Sequence, residues 1–222
     1  RNRMQSTPLD ILYQDDMLIA VTKPNGLLVH PGREPEAKEW IAMKVLRDQI
    51  GRRVYAIHRL DRPTSGVLLF ALEEPAADAM RAEFDNRRVQ KIYVAVVRGQ
   101  TPEAWEYRTP LQKEEGAKMK ECHTRFQRLG CDLSADTSTV LAEPLTGRHH
   151  QIRRHLAGDG FPILGDYLYG DVAYNDQLAA TSGLSRMLLH ARSLSFTHPV
   201  TRQPVLIESP LPPEFAAFAT NG

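Results

Sequence analysis

Along residues 9–30, LDILYQDDMLIAVTKPNGLLVH, apolar and polar positions alternate on both sides of Asp15-Asp16, and the pattern breaks at Pro24-Asn25-Gly26. Alternation with period two predicts half-buried strands, here two antiparallel ones with a turn. PEAKEWIAMKVLRDQ then sets Ala37, Trp40, Ile41 and Val45 on one helical stripe behind a proline suited to a first turn. VYAIHRL and GVLLFAL read as strands, which makes the charged segment between them a strand-to-strand loop. PAADAMRAEFDN reads as a short helix. In QKIYVAVVRG both interleaved sets, Ile92-Val94-Val96 and Tyr93-Ala95-Val97, are apolar, the pattern of a strand covered on both faces.

Between about Thr101 and Asp136 the pattern is weak, and a hairpin excursion is the only expectation drawn. STVLAEPL predicts a strand, and TGRHHQIRRHLAGDG a helix opened near Thr146-Gly147 and closed at Gly158. MLLHARSLSF and PVLIESP predict two strands joined at Thr201 to Gln203, and PPEFAAF a last helix. Strands outnumber helices and often follow one another directly. The expected class is therefore α+β, a mixed, mostly antiparallel sheet with flanking helices and a central cleft, built as one domain over 1–222.

Composition narrows the function classes. The 28 Lys and Arg against 27 Asp and Glu leave the whole molecule near neutral, so a polyanion site has to be local. Arg81, Arg87, Arg88, Lys91, Arg98 and the Arg148–Arg154 cluster could form such a basic rim. Two cysteines, Cys122 and Cys131, make neither a disulfide framework nor a zinc ribbon and suit a reducing compartment. The polar start RNRMQSTPLD reads as neither a signal peptide nor a membrane anchor, so the cytoplasm is expected. His149, His150 and His155 lack metal-ligand spacing, and no metal is expected.

The chemistry concentrates in HRLDRPTSG, where Asp61 stands between Arg59 and Arg62. Alone, Asp-Arg-Pro-Thr would usually be a solvated turn. Here the loop is clamped between two apolar strands, and the neighbouring arginines favour an ionised carboxylate, which serves as a nucleophile better than as an acid. A hydrolytic glycosidase or nucleosidase would need a second placed carboxylate. The other motif segments offer Lys91, Tyr93, Arg148, Arg153 and Arg154 instead, which suit a polyanion whose base is held by stacking. A non-catalytic RNA-binding module is a third reading.

Five blocks in order, KPNGLLVH (23–30), HRLDRPTSGVLLFAL (58–72), QKIYVAVVRG (90–99), TGRHHQIRRHLAGDGFPILGDYLYG (146–170) and RMLLHARSLSFTHPVT (186–201), resemble the RluA family of pseudouridine synthases. The text is most similar to its tRNA-acting TruC branch. The resemblance implies isomerisation of a uridine in RNA, without cofactor or metal, with tRNA favoured over ribosomal RNA as the partner. It carries the nucleophile onto Asp61. Arg59 would fill the place of the everted base, Tyr93 would stack on that base, and Arg153 would orient the aspartate. His58, Arg62, Lys91, Arg148 and His149 complete the expected substrate contacts. An N-terminal S4-type module and a membrane partner are not expected, and a monomer is. His149 stands where a lysine would be expected in that branch.

Overall fold

The computed structural model describes residues 7–29, 41–113 and 116–218. They fall into two compact units: one holds the described residues up to Val89 with Ser193–Ser209, the other those from Gln90 to Arg192 with those from Pro210 on.

In the first unit, β1 (Ile11–Gln14) and β2 (Leu18–Lys23) form an antiparallel hairpin. The Asp15 carboxylate closes the turn by accepting the Met17 and Leu18 N–H groups at 2.8 and 2.7 Å. β2 pairs antiparallel with β4 (Ser65–Ala71), from Leu18 opposite Ala71 to Lys23 opposite Gly66. The short β3 (Tyr55–Ala56) also lies antiparallel to β4. All seven residues of β4 are buried, which accounts for its unbroken apolar text.

α1 (Ala42–Ile50) ends at Gly51, whose φ of 65° is the left-handed C-cap. The expected helix over 35–49 is thus found from Ala42 onward, while its stretch 35–40 lies outside the described residues. α2 (Glu74–Asp85) buries Ala76, Ala77 and Met80 in a core with Leu18, Val67, Leu69 and Leu194. β9 (Leu189–Thr197) enters this unit at Ser193 and pairs antiparallel with β10 (Pro204–Glu208).

In the second unit, β5 (Gln90–Arg98), β8 (Thr137–Pro144), β7 (Thr124–Asp132) and β6 (Ala104–Tyr107) lie side by side, each antiparallel to the next. α3 (Gln151–Gly158) covers one face, packing Ile152 and Leu156 against Ala95, Val97, Phe126, Val140 and Ala142. On the other face Val94 and Val96 join Leu164, Leu188 and Phe215, the last from a 3-10 helix, Pro213–Phe218. β5 is therefore covered on both faces, as its doubled apolar pattern predicts.

The weak stretch 101–136 holds β6 and β7, antiparallel to each other as the expected hairpin excursion, with Glu106 and Arg125 on exposed positions in cross-strand ion contact at 3.2 Å. Two local differences from the sequence expectation have physical causes. α3 begins at Gln151 rather than at Thr146. α4 (Val172–Ser182), with Asp171 accepting from the Tyr174 N–H at its N-cap, has only Asn175 buried, so no apolar stripe announced it. The architecture is α+β with antiparallel pairing and flanking helices, as expected.

Candidate active site

The loop from Ile57 to Thr64 hangs between β3 and β4 of the first unit, and both its ends are tied down. At its start, His58 Nε2 accepts the Leu69 N–H at 3.0 Å, so in the neutral ring the proton sits on Nδ1. The His58 ring also stacks on Phe84 of α2, with centroids 4.8 Å apart. At its far end, Gly26 N–H donates to the Arg62 carbonyl at 2.7 Å, and Arg62 Nε donates back to the Gly26 carbonyl at 3.1 Å.

Beneath that exchange lies Lys23, fully buried. Its ammonium donates to the carbonyls of Pro24 at 2.9 Å, Leu27 at 2.8 Å and Arg62 at 3.1 Å. A cation surrounded by carbonyl oxygens fixes the Pro-Asn-Gly turn and the Asp61 loop to each other. Asp61 itself is half-buried, with Arg62 and Arg59 exposed beside it. Its carbonyl accepts the Thr64 N–H at 3.0 Å. Among the described residues the buried Thr64 hydroxyl has no hydrogen-bond partner. Arg59 joins Ala56, Ile57, His58 and Arg81 in lining a concavity of about 310 Å³.

The second unit holds the other expected residues. Tyr93 sits half-buried on β5 opposite Ala142, at the margin of the core under α3. Lys91 Nζ lies 3.4 Å from the Thr146 carbonyl, and 3.7 Å from where a side chain at Gly147 would begin. Between β8 and α3 the chain is organised by the buried Gln151. Its Oε1 accepts the Thr146 hydroxyl at 2.6 Å and the Arg148 N–H at 3.0 Å, while its Nε2 donates to the His123 carbonyl and Thr124 Oγ1, both at 3.0 Å. A side chain thus satisfies the amide that an earlier helix start would have used, and α3 is shortened accordingly. His150 takes the left-handed conformation (φ 53°, ψ 30°) at that start, with its ring 3.7 Å from the exposed His149 ring and its Nδ1 2.9 Å from the Tyr169 hydroxyl.

Arg153 is 5% exposed, and its Nε and NH2 groups donate to the two oxygens of Asp166, both at 2.8 Å. Asp166 also accepts the Leu168 and Tyr169 N–H groups, at 3.0 and 3.2 Å. Burial alone would push its carboxyl up; the Arg153 hydrogen bonds and charge, with the two N–H groups, outweigh it and hold Asp166 below the ordinary carboxylate range. His155, fully buried, is lowered chiefly by burial, against which its bond to the Thr109 carbonyl works. It is therefore neutral: Nε2–H donates to that carbonyl at 3.1 Å, and Nδ1 accepts the Thr124 hydroxyl at 2.8 Å.

The expected basic rim is only partly available as net charge. Arg81 pairs with Asp78 at 2.7 Å, Arg88 with Glu83 at 2.7 Å and Arg98 with Asp171 at 3.1 Å. Lys23 and Gln151 are the residues that sequence reasoning passed over, while Asp166 was read from the sequence only as a turn former beside Gly165. For Lys23 a signal existed: it shares strand parity with the buried Ile19 and Val21. Asp166 has the turn role its glycine neighbour suggests, and the pair with Arg153 in addition.

Residues 17–158 match the RNA pseudouridylate synthase family, more than half of the chain. The chain belongs to that family and is a pseudouridine synthase of the RluA type, an isomerase acting on RNA. It is 42% identical over 219 residues to a Haemophilus ducreyi protein named tRNA pseudouridine synthase C, with 90% of each chain covered. To the Pasteurella multocida protein of the same name it is 43% identical over 218 residues, again with 90% of each covered. Among solved structures, human RNA pseudouridylate synthase domain containing 1 superposes with a TM-score of 0.77 at 28% identity, covering 95% of this chain and 85% of that one. No described helix is long and apolar enough to cross a membrane.

Proposed function

We propose that this chain converts one uridine of a transfer RNA to pseudouridine, with Asp61 as the nucleophile. The bond from the ribose to N1 of uracil breaks, a bond from the same carbon to C5 forms, and the proton leaving C5 is balanced by one gained at N1. No atom is gained or lost, so the chemistry calls for positioned groups rather than a consumed reagent. The observation that carries the nucleophile is the pinned Ile57–Thr64 loop: with His58 and Lys23 holding its ends, the half-buried Asp61 is pre-organised in a way a surface turn is not. The names of the relatives at 42–43% identity support transfer RNA as the substrate.

The remaining roles follow from what eversion of a base demands. Unstacking a uridine costs a few kcal/mol. Arg59, exposed on the loop, would occupy the vacated place in the RNA stack. Tyr93 would stack on the everted uracil, a contact worth about 1–3 kcal/mol per base. Arg153 is assigned as the group that orients the nucleophilic carboxylate and keeps it charged. Lys91, Arg148 and His149 are assigned to the RNA backbone near the target, with His58 and Arg62 shaping the loop that presents Asp61.

The test treats unmodified tRNA and rRNA transcripts with the protein and with Asp61→Asn, then maps pseudouridine by carbodiimide-blocked primer extension. The expected result is a new stop in a tRNA, produced only by the unaltered protein. A stop confined to rRNA would replace the substrate, free uracil without a stop would mean hydrolysis, and RNA binding without either product would mean a binding module.

A further inference from the structure

Arg153 is immobilised to a degree that its assigned role alone does not explain. The Nε–NH2 edge of its guanidinium is taken by both Asp166 oxygens, and the Tyr169 ring lies 5.1 Å from its central carbon. Asp166 is held in turn. Besides accepting two N–H groups, its own carbonyl receives the Asn175 amide at 3.0 Å and the Gly170 N–H at 3.0 Å. The preceding Gly165 has φ +76°, and a side chain there would begin 2.2 Å from the Arg186 carbonyl oxygen, so that only glycine lets the chain deliver Asp166. Tyr169 is fixed through its hydroxyl to His150, the residue that opens the helix bearing Arg153.

We infer that Asp166 and Tyr169 are positioning residues for Arg153: together they set the plane of its guanidinium and so the direction of its remaining N–H groups. This rests on the reading of Arg153 given above. Asp166 also compensates the arginine's charge, so Arg153 acts through directed donors more than through net field. A pair serving stability alone would be equally buried. What separates the two is where the loss appears when the pair is broken.

The experiment is a double-mutant cycle read in turnover. With Asp166→Asn, which keeps size and shape, kcat for tRNA isomerisation is expected to fall roughly 10²-fold while KM for the tRNA stays within about threefold, the mark of a misplaced catalytic group. In an Arg153→Lys background, Asp166→Asn should cost little more, because the group it positions is already altered. Unchanged kcat, or losses that simply multiply, would overturn the inference. Should Asp166→Asn not fold, the same cycle with Tyr169→Leu decides by the same two outcomes. Full turnover in Arg153→Lys alone would remove the reading of Arg153 and this inference with it. An impaired Arg153→Lys beside a fully active Asp166→Asn would remove only the inference.

Discussion

The two units fix their proposed catalytic groups by opposite electrostatic means. In the first, the anionic residue Asp61 sits on a loop tied down by a buried cation, Lys23, whose described partners are neutral carbonyl oxygens. In the second, the cationic residue Arg153 is tied down by a buried anion that shares its charge. Carbonyl oxygens hold a lysine through dipoles and leave its net charge in place; a carboxylate cancels the charge it holds. The described anchors of the Asp61 loop are thus dipoles, and the described anchor of Arg153 is an opposite charge.

That difference predicts unequal penalties, the largest in the second unit. Arg153→Met leaves Asp166 buried without its cation and should cost about 3–5 kcal/mol. Pairing it with Asp166→Asn, which keeps the Oδ1 that the Leu168 and Tyr169 N–H groups use, should recover much of that loss, because the buried charge is then gone. Denaturant midpoints of the three variants check this; a double variant no more stable than Arg153→Met would mean that the pair is not the source of the penalty.

In the first unit, Lys23→Met keeps the apolar stem but removes the ammonium that the Pro24, Leu27 and Arg62 carbonyls share. A hydrogen bond to a charged group is worth about 1.5–3 kcal/mol and these overlap, so a total near 3 kcal/mol is expected. Turnover should fall with it, since the Arg62 carbonyl anchors the Asp61 loop. Equilibrium unfolding and single-turnover rates, measured on the same preparation, separate the two losses.

The units should also part company on acidification. Folded His155 stays neutral below its ordinary value of 6.5, whereas the unfolded histidine takes up a proton there. The unfolded state then binds more protons, so stability is fully present above pH 6.5 and declines as pH falls through it, by at most about 1.4 kcal/mol per pH unit for one group. Asp166, held below the ordinary carboxylate range, adds a second loss that begins only below about pH 4. In the first unit Asp15 is lowered as well, its burial outweighed by hydrogen bonds from Tyr13 and the Met17 and Leu18 N–H groups, so the units differ in the His155 window alone. Unfolding midpoints followed from pH 8 to pH 5 should show the first decline in the unaltered protein and a flatter profile in His155→Gln.

Much of this was written in the chain, and what was not has a common cause. The Asp61 loop was legible because the wholly buried β4 follows it, although the strand expected before it is reduced to Tyr55–Ala56, and β5 because both of its alternating sets are apolar. Local patterning carries that information. The Arg153–Asp166 pair joins residues 13 apart, across the end of α3 and a loop whose path depends on Gly165. No periodicity encodes such a contact. β7 was obscured because a register shift between Arg128 and Gly130 breaks its alternation and leaves Leu129 exposed, and the start of α3 moved because a single glutamine takes the Arg148 amide. Lys23 hid behind its charge: lysine is almost never fully buried, and strand parity pointed against that expectation.

The smallest expected effect lies within the Asp61 loop and sharpens the contrast with Lys23. Thr64 is 2% exposed, and its hydroxyl lacks a hydrogen-bond partner among the described residues, so folding desolvates that group with no described bond in return. What Thr64 gives the loop is its backbone N–H, which donates to the Asp61 carbonyl, and a β-branched stem. Thr64→Val keeps both and replaces the hydroxyl by a methyl group of similar size, so stability should stay level or rise by up to about 1 kcal/mol, with turnover unchanged. Thr64→Ser keeps the hydroxyl and loses a buried methyl, which should cost about 1 kcal/mol. The order Val, Thr, Ser is the reverse of what a hydrogen-bonded threonine gives, where valine is the worse replacement. Thermal midpoints of the three proteins decide it, and a clearly destabilised valine variant would reveal a bond that the hydroxyl makes within this loop.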